Sequence, residues 1–170
     1  FIASTGYPET YGLSGNLNYK SKNFNLFTTQ GYNDRNNPGN AFTDSRYLNS
    51  DNTTRNYVNE TRENERNSKG YNGNFGMEWN LSESLSWTNT FNYRKSNGDN
   101  IDNVFQNSYN SGFNYDYTRN RVNAESSDSE NVEFTTNFTK KFKNDGHKLT
   151  IDGSYSTNDD KNDALMTDKA

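Results

Sequence analysis

Several residue types on which familiar protein classes depend are missing or scarce in this sequence. Its 170 residues include no cysteine, one histidine and two prolines. Without cysteine, this stretch has no disulfide framework, no thiolate metal site and no cysteine nucleophile. No run of about 18 apolar residues occurs, so the sequence predicts no transmembrane helix. The residues that follow Phe1 show no basic segment leading into an apolar one, and we expect no signal peptide in this stretch.

Apolar residues are scarce as well. They make up 28% of the chain, against about 45–50% in an ordinary soluble domain, and the mean hydropathy is −1.30. Roughly one residue in five is asparagine. This composition leaves little for a packed core and would suit a disordered chain. However, aromatic residues make up 15% of the chain and the net charge is only −4, whereas disordered segments are poor in aromatic residues. The apolar residues, more than half of them aromatic, therefore need a structural role.

Alternation with a period of two supplies that role. Apolar side chains alternate with polar ones in residues 11–20, 71–81, 85–94, 132–142 and 148–155. Successive side chains of a strand point to opposite faces, so each segment predicts a strand with one apolar and one polar face. We predict that the apolar faces contact lipid through Leu13, Leu17, Tyr19, Phe75, Met77, Trp79, Trp87, Phe91, Tyr93, Phe134, Phe138, Leu149, Ile151 and Tyr155.

A few positions break the alternation. In residues 24–33 the apolar side chains of Phe24, Leu26 and Tyr32 share one parity. Thr28 and Gln30 fall on that apolar side, and Phe27 falls on the polar side. Asn89 and Lys140 fall on faces that are otherwise apolar. Lys140 is close to a predicted turn, where its long side chain would carry the ammonium group to the membrane interface. The pattern offers no reason for Asn89.

The connections between the predicted strands differ in length. Short links are predicted at Ser21–Asn23, Ser82–Ser84 and Lys143–Gly146, and long polar loops at Asp34–Gly70 and Lys95–Ser129. Outer-membrane barrels have short periplasmic turns, longer extracellular loops and strands of about ten residues. Aromatic residues at the segment ends match the interfacial girdles of such barrels. A soluble β-sandwich also alternates, but its loops are not systematically long at one end.

The sequence thus predicts an all-β fold, an antiparallel transmembrane β-barrel of which residues 1–170 form a segment of about six to seven strands. A sheet in lipid must close, because unpaired backbone groups in hydrocarbon cost several kcal/mol each. Six or seven strands with a polar inner face cannot close, so we expect further strands from elsewhere in the polypeptide or from a partner. Parts of the long loops are expected to form tall hairpins, with a turn at Asn49–Asn52 and alternation through Phe113, Tyr115 and Tyr117.

Two stretches carry a resemblance to a known family. Tyr7–Tyr19, running into Phe24–Phe27 and Gly31–Arg35, resembles the opening barrel strands of TonB-dependent-receptor-like outer-membrane β-barrel proteins. Asp128–Phe138 is similar to a later part of that family. The resemblance rests on the residue pattern of the strands. It implies a large barrel of about 22 strands with an N-terminal plug and a TonB box. In residues 1–170 we find no plug, no TonB box and no closing strand that ends in an aromatic residue.

The resemblance implies a location in the outer membrane of a Gram-negative bacterium and the uptake of a nutrient or chelate. The implied partners are outer-membrane lipid and lipopolysaccharide, the rest of the protein's own barrel and plug, and the TonB system, a surface lipoprotein or the barrel assembly machinery. Two alternatives stay open. One is a non-transporting barrel subunit, or an incomplete barrel held by the assembly machinery, whose strand edges a partner would cover. The other is a secreted β-rich adhesin module, which would be soluble without detergent.

Catalysis finds little support in the residues, so we expect no enzyme, no cofactor and no metal site. The single histidine, His147, belongs to a predicted turn. The acidic stretches Asn97–Asp102 and Asn158–Asp163 offer oxygen ligands for calcium but lack EF-hand spacing, which favours solvated loops. Glu60–Arg66 would line a lumen or contact lipopolysaccharide phosphates, although a screened surface ladder of charges is the simpler interpretation. A pI near 5.0 gives no reason to expect nucleic acid as a partner.

Overall fold

In the computed structural model, which describes residues 1–143 and 146–169, the chain is a single antiparallel sheet. The described residues contain no helix, and therefore none long and apolar enough to cross a membrane. The strands are β1 (Ile2–Gly6), β2 (Thr10–Lys20), β3 (Phe24–Asn36), β4 (Gly39–Leu48), β5 (Thr54–Ser82), β6 (Leu85–Asn110), β7 (Tyr115–Lys141) and β8 (Lys148–Lys169).

The strands follow one another across the sheet as they do along the chain. Their order is β1-β2-β3-β5-β6-β7-β8, and β4 pairs with β5 beside that path. The long strand β5 therefore pairs with both β3 and β4. The outermost strands are β1 and β8, so the sheet formed by the described residues is open.

The prediction of an all-β, antiparallel fold is confirmed, but the strand count and the extent of the long loops are wrong. The hairpins expected within these loops are present, as β4 with β5 and as β6 with β7. The described residues form eight strands instead of six or seven. The predicted loops Asp34–Gly70 and Lys95–Ser129 consist mostly of β4 and of large parts of β5, β6 and β7. These stretches carry polar residues on both faces, so they lack the alternation that identifies a strand with one apolar face. The barrel itself stays a prediction.

The predicted short links agree more closely with the structure than the predicted long loops do. The link at Ser21–Asn23 is confirmed as the connection from β2 to β3, and the link predicted at Ser82–Ser84 consists of Glu83 and Ser84. The link at Lys143–Gly146 includes residues 144 and 145, which lie outside the described residues. On either side of it, the Phe142 N–H donates a hydrogen bond to the His147 carbonyl oxygen over 3.0 Å.

The chain divides into two compact units. The first unit comprises Phe1–Arg35, Ser68–Asn97 and Asp128–Lys161. The second comprises Asn36–Asn67, Gly98–Ser127 and the chain from Asn162 onwards. The first unit contains all fourteen residues predicted to face lipid, and the second contains most of the two stretches predicted to be loops.

Two hairpin turns in the second unit have the same geometry. In the turn from β4 to β5, the Asn52 N–H donates to the Asn49 carbonyl over 3.0 Å, and Asn52 has a φ of 64°. In the turn from β6 to β7, the Phe113 N–H donates to the Asn110 carbonyl over 3.0 Å, and Phe113 has a φ of 63°. In each turn three residues lie between a hydrogen-bonded pair, Asn49 with Thr53 and Asn110 with Asn114, and the third of them is left-handed. The predicted turn at Asn49–Asn52 is confirmed, whereas Phe113 lies in a turn and not on a strand.

The left-handed conformation costs a different free energy at Asn52 and at Phe113. Asparagine adopts this conformation readily because its short side chain bonds to the local backbone. For a residue with a larger side chain, the conformation costs roughly 1–2 kcal/mol. The β6–β7 turn contains Gly112 next to Phe113, yet the phenylalanine occupies the strained position. The backbone of the turn therefore does not explain the choice of phenylalanine.

Asp51 stabilises the β4–β5 turn in its ionised form. Its carboxylate accepts hydrogen bonds from the Thr53 hydroxyl over 2.6 Å and from the Thr53 N–H over 3.0 Å. The hydroxyl bond is the main reason why the pKa of Asp51 is lowered from its ordinary value of 3.8. A depressed pKa adds stability that is present above the ordinary value and is lost as the pH falls through the lowered one.

We predict that Thr53→Val raises the pKa of Asp51 towards the ordinary aspartate value, because it removes the hydroxyl donor. The turn of the variant then loosens at a higher pH than the turn of the wild type during acid titration. The carboxyl carbon shift of Asp51, followed by NMR across the acid range, measures both. Ser50→Ala in the same turn is the control and leaves the titration unchanged; an equal shift in both variants would contradict the assignment to Thr53.

Candidate functional site

The fourteen apolar residues of the first unit stand on strands whose registers bring them to one face of the sheet, here called the apolar face. Between β2 and β3, Leu13 pairs with Tyr32 and Leu17 pairs with Thr28. Directly paired residues of neighbouring strands point to the same face. The apolar side of β2 therefore continues onto β3, where Tyr19 pairs with Leu26.

The apolar face continues from β3 through β5 to β6. A Cβ atom added at Gly73 would lie 2.7 Å from Oε1 of Gln30, and the Tyr71 hydroxyl donates to the same oxygen. Gln30 of β3 thus shares a face with the odd-numbered residues of β5. The rings of Tyr71 and Tyr93 lie 5.9 Å apart between centroids, which places the odd-numbered residues of β6 on that face as well.

Two contacts extend the apolar face to β7 and β8. The Trp87 indole N–H donates to the Thr136 hydroxyl over 2.8 Å, so the even-numbered residues of β7, with Phe134 and Phe138, join the face of Trp87. A Cβ atom added at Gly153 would lie 3.1 Å from Cγ2 of Thr136, which adds the odd-numbered residues of β8. The alternation in five separate segments thus becomes one surface across six strands, from β2 to β8 without β4.

This apolar face is uncovered over the part of the chain that the structure describes. Met77, Tyr93 and Phe138 are half-buried, and the other eleven of the fourteen are exposed, from 38% for Trp87 to 65% for Tyr155. The only buried hydrophobic side chain among the described residues is Val104, in the second unit. Soluble monomers rarely leave a continuous apolar patch of this kind in water. That the face contacts lipid stays a prediction.

The polar residues that interrupt the apolar face are bonded within it. The Thr28 hydroxyl donates to the Asn74 carbonyl oxygen over 2.7 Å, and the Gln30 amide donates to the Thr28 hydroxyl over 2.8 Å. With the bond from Tyr71, these groups form a small network that avoids most of the cost of unpaired polar groups. Lys140 reaches back to the turn between β5 and β6 and donates to the Ser84 hydroxyl over 2.9 Å.

Asn89 remains an exception on this face. Its Nδ2 atom is buried and has no hydrogen-bond partner among the described atoms. An unpaired buried amide costs about 1–3 kcal/mol. Neither the sequence nor the structure gives a reason for it.

The opposite face of the first unit, here called the polar face, has amide and hydroxyl side chains bonded to a few acids. An Asn74 side-chain amide donates to Asn92, which in turn donates to Glu133 over 3.1 Å. Another amide, that of Asn137, donates to Asp152. These bonds run across the strands, so they strengthen the sheet without an apolar core.

Phe27 on the polar face is explained by the residue opposite it. A Cβ atom added at Gly76 would overlap the Phe27 ring, and Gly76 is buried. The ring therefore lies over a glycine on the neighbouring strand, where no other residue would leave it room. The alternation of the sequence places Phe27 on the correct face, but it does not show that the ring lies over Gly76 of the neighbouring strand.

The charged groups of the second unit form local ion pairs. The Arg119 and Arg121 guanidinium groups contact Asp168 at 2.9 and 2.8 Å. The hydrogen bond from Arg121 is the main reason why the pKa of Asp168 is lowered, and the same bond raises the pKa of Arg121. Glu60 accepts bonds from Arg62 over 3.2 Å and from Gln106 over 2.7 Å. The whole stretch Glu60–Arg66 lies within β5.

The acidic stretches considered for calcium are strands, not solvated loops. Asn97–Asp102 lies within β6, and Asn158–Asp163 lies within β8. Neighbouring side chains of a strand point to opposite faces, so consecutive acids diverge and do not surround an ion. No group of three or more histidine, cysteine or acidic residues suited to a metal occurs in residues 1–143 and 146–169.

An open groove of about 440 Å³ lies within the second unit. Arg66, Asn100, Glu125 and Ser127 are among its lining residues. The Asn100 amide donates to Glu125 over 3.4 Å, and its Oδ1 atom has no partner in the described part of the chain. The lining combines both signs of charge with neutral groups, so it favours no single class of ligand.

Sequence reasoning missed an aromatic cluster in the second unit, formed by Tyr57, Tyr109, Phe113 and Tyr115. The Phe113 ring stacks on Tyr109, with centroids 4.9 Å apart and planes 5° from parallel, and meets Tyr57 edge to face at 5.1 Å. One signal was available: each turn begins with Asn-Ser, at Asn49 and at Asn110. Aligning the two turns puts Phe113 opposite Asn52.

We predict that Thr28→Val lowers the free energy of unfolding by about 1–2 kcal/mol. The variant removes the hydroxyl that donates to the Asn74 carbonyl oxygen, and it leaves the Gln30 amide only its longer bond to that carbonyl, at 3.4 Å. The urea midpoint of the full protein measures the loss. Thr29→Val is the matched control, since Thr29 is exposed and points to the polar face. Equal losses in both variants would show that the network on the apolar face has no special role.

The comparisons with known proteins add nothing to this geometry. No family model matches the chain, and the search of curated proteins found no match. The resemblance to TonB-dependent-receptor-like barrels thus stays a prediction from the sequence.

Proposed function

We propose that the chain is a segment of a bacterial outer-membrane β-barrel, part of a TonB-dependent-receptor-like transporter that takes up a nutrient or chelate. One observation carries the proposal: the first unit has an exposed, largely aromatic face and an opposite face of amides and hydroxyls, and its described residues form no apolar core. A membrane barrel requires this division, since it contacts lipid on one side and water on the other.

The exposed apolar face argues for lipid more than for a missing protein layer. This face carries amphipathic rings, as the interfacial belts of membrane proteins do. They belong to Tyr19, Trp79, Trp87 and Tyr155. Lys140 bends to a turn residue, which keeps its charge at the edge of the apolar region. Gln30 and Thr28 satisfy each other without water.

The polar face suits the wall of a water-filled lumen. Its amides and hydroxyls form cross-strand bonds, and acids such as Glu133 and Asp152 accept bonds from asparagines. A wall of mostly neutral polar groups lets hydrophilic solutes pass and does not hold them tightly. The second unit, whose strands carry polar residues on both faces, is assigned to the extracellular side.

A second candidate is an incomplete barrel held by the barrel assembly machinery, or a barrel subunit that does not transport. The open sheet favours it, because the outer edges of β1 and β8 have no strand paired with them among the described residues. Co-purification of the detergent-extracted full-length protein separates the candidates. TonB as partner supports import, and barrel assembly proteins on the strand edges support the alternative.

Cysteine labelling tests the assignment of faces, and this stretch has no cysteine of its own to interfere. We predict that Phe75→Cys in the full-length protein does not react with a water-soluble maleimide while the protein is folded and reacts once it is denatured. Hydrocarbon around the side chain excludes the reagent and keeps the thiol protonated. Asn74→Cys, one residue away on the opposite face, is the matched control and reacts with the small water-soluble reagent through the lumen.

Equal reaction of both variants with the water-soluble reagent would refute the lipid assignment and leave the adhesin module as the better function. Arginine scanning gives an independent result. Phe75→Arg is expected to destabilise the barrel by about 2–4 kcal/mol if it lies near the bilayer midplane. Asn74→Arg on the polar face should keep the folded form, seen as a band that shifts on heating in a gel.

A further inference from the structure

We propose that the aromatic cluster at the β6–β7 turn is a binding surface for the sugar rings of a neutral oligosaccharide. The first observation is the repeated turn. Asn52 and Phe113 hold the same left-handed position in turns with the same hydrogen bonds, so asparagine satisfies the backbone and phenylalanine strains it. Strain that the fold does not require points to a function of the side chain.

The second observation is the arrangement of the rings. Phe113 stacks on Tyr109 of β6 and meets Tyr57 of β5, and Tyr115 of β7 lies 6.2 Å from Tyr109, at 80°. Three strands and a turn thus contribute to one cluster within the second unit. Phe113 is 59% exposed and Tyr115 is 62% exposed, so the cluster presents ring surface to solvent and does not enclose it.

The third observation is the chemistry around the rings. Residues 107–118 contain one charged side chain, Asp116, among asparagines, serines and tyrosines. Aromatic faces attract the C–H faces of a pyranose ring, and amides and hydroxyls bond to its hydroxyl groups. Tyrosine, serine, glycine and asparagine are also the residues that make adaptable binding surfaces elsewhere. Residues 107–118 contain no lysine or arginine to contact phosphates, and Arg119, next in the sequence, is paired with Asp168. A neutral ligand therefore suits this surface better than a nucleic acid strand.

The inference does not rest on the membrane location, because every residue of the cluster belongs to the second unit and none to the apolar face. It would hold equally for a secreted module. Failure of the labelling experiment on Phe75 and Asn74 therefore leaves it standing, and its own failure leaves the barrel proposal standing.

The test uses the full-length protein in detergent on an array of neutral oligosaccharides that includes α- and β-linked glucans, followed by calorimetric titration of the best binder. We expect binding by the wild type and at least a tenfold loss of affinity in Phe113→Asn. That variant copies the left-handed residue of the β4–β5 turn, so its melting temperature should stay level or rise. Asn52→Gly, which changes the equivalent position of the other turn, should keep the affinity.

Three results would overturn the proposal. The wild type binds no neutral oligosaccharide at millimolar concentration, or Phe113→Asn binds as tightly as the wild type. In the third, Phe113→Asn melts several degrees lower, which makes the ring a structural element of the turn. A proline-rich peptide that binds the wild type in place of sugars would count as the first result and reassign the surface to peptides.

Discussion

Backbone hydrogen bonds between neighbouring strands hold this sheet together, because the side chains bury almost nothing. Among the described residues, only Gly76, Val104 and Ser108 are buried. A hydrogen bond in water contributes a net of about 0.5–1.5 kcal/mol, since the unfolded chain bonds to water instead. In hydrocarbon no such alternative exists, and the same bonds become obligatory. The stability of the first unit therefore depends on the medium next to its apolar face, which connects its composition to the proposed location.

The first unit could be predicted largely from the sequence, because one apolar face makes a strand visible as alternation. The segments containing Leu17, Phe75 and Phe134 were assigned to strands, and the structure brings them to one surface. The exceptions to the alternation are explained only by contacts between strands. Thr28 and Gln30 are tolerated because they bond to each other, and Phe27 is tolerated because Gly76 lies opposite; both depend on partners distant in the sequence. Periodicity describes one strand at a time and contains no register between strands.

The second unit could not be predicted in the same way, and the reason is physical. Where both faces of a strand contact water, nothing selects apolar residues at alternate positions, and the strand resembles a loop in composition. That is why the β4–β5 hairpin was located only through its turn and why long loops were assigned where β5, β6 and β7 continue. The turns were more informative than the strands, because turn residues follow local backbone requirements. The departure from such a requirement at Phe113 led to the proposed binding surface.

The order of the strands has a consequence for how the chain folds. Each new strand pairs with one that precedes it closely in sequence, so every step closes a short loop and loses little chain entropy. Sheets built from local pairings form faster than those whose strands meet from distant parts of the chain. A chain of this topology can add one hairpin at a time, with a single growing edge ready to accept the next strand. Such stepwise growth suits a protein that reaches its final surroundings gradually, because each new strand joins at one edge while the outer edge of β1 keeps its place in the sheet.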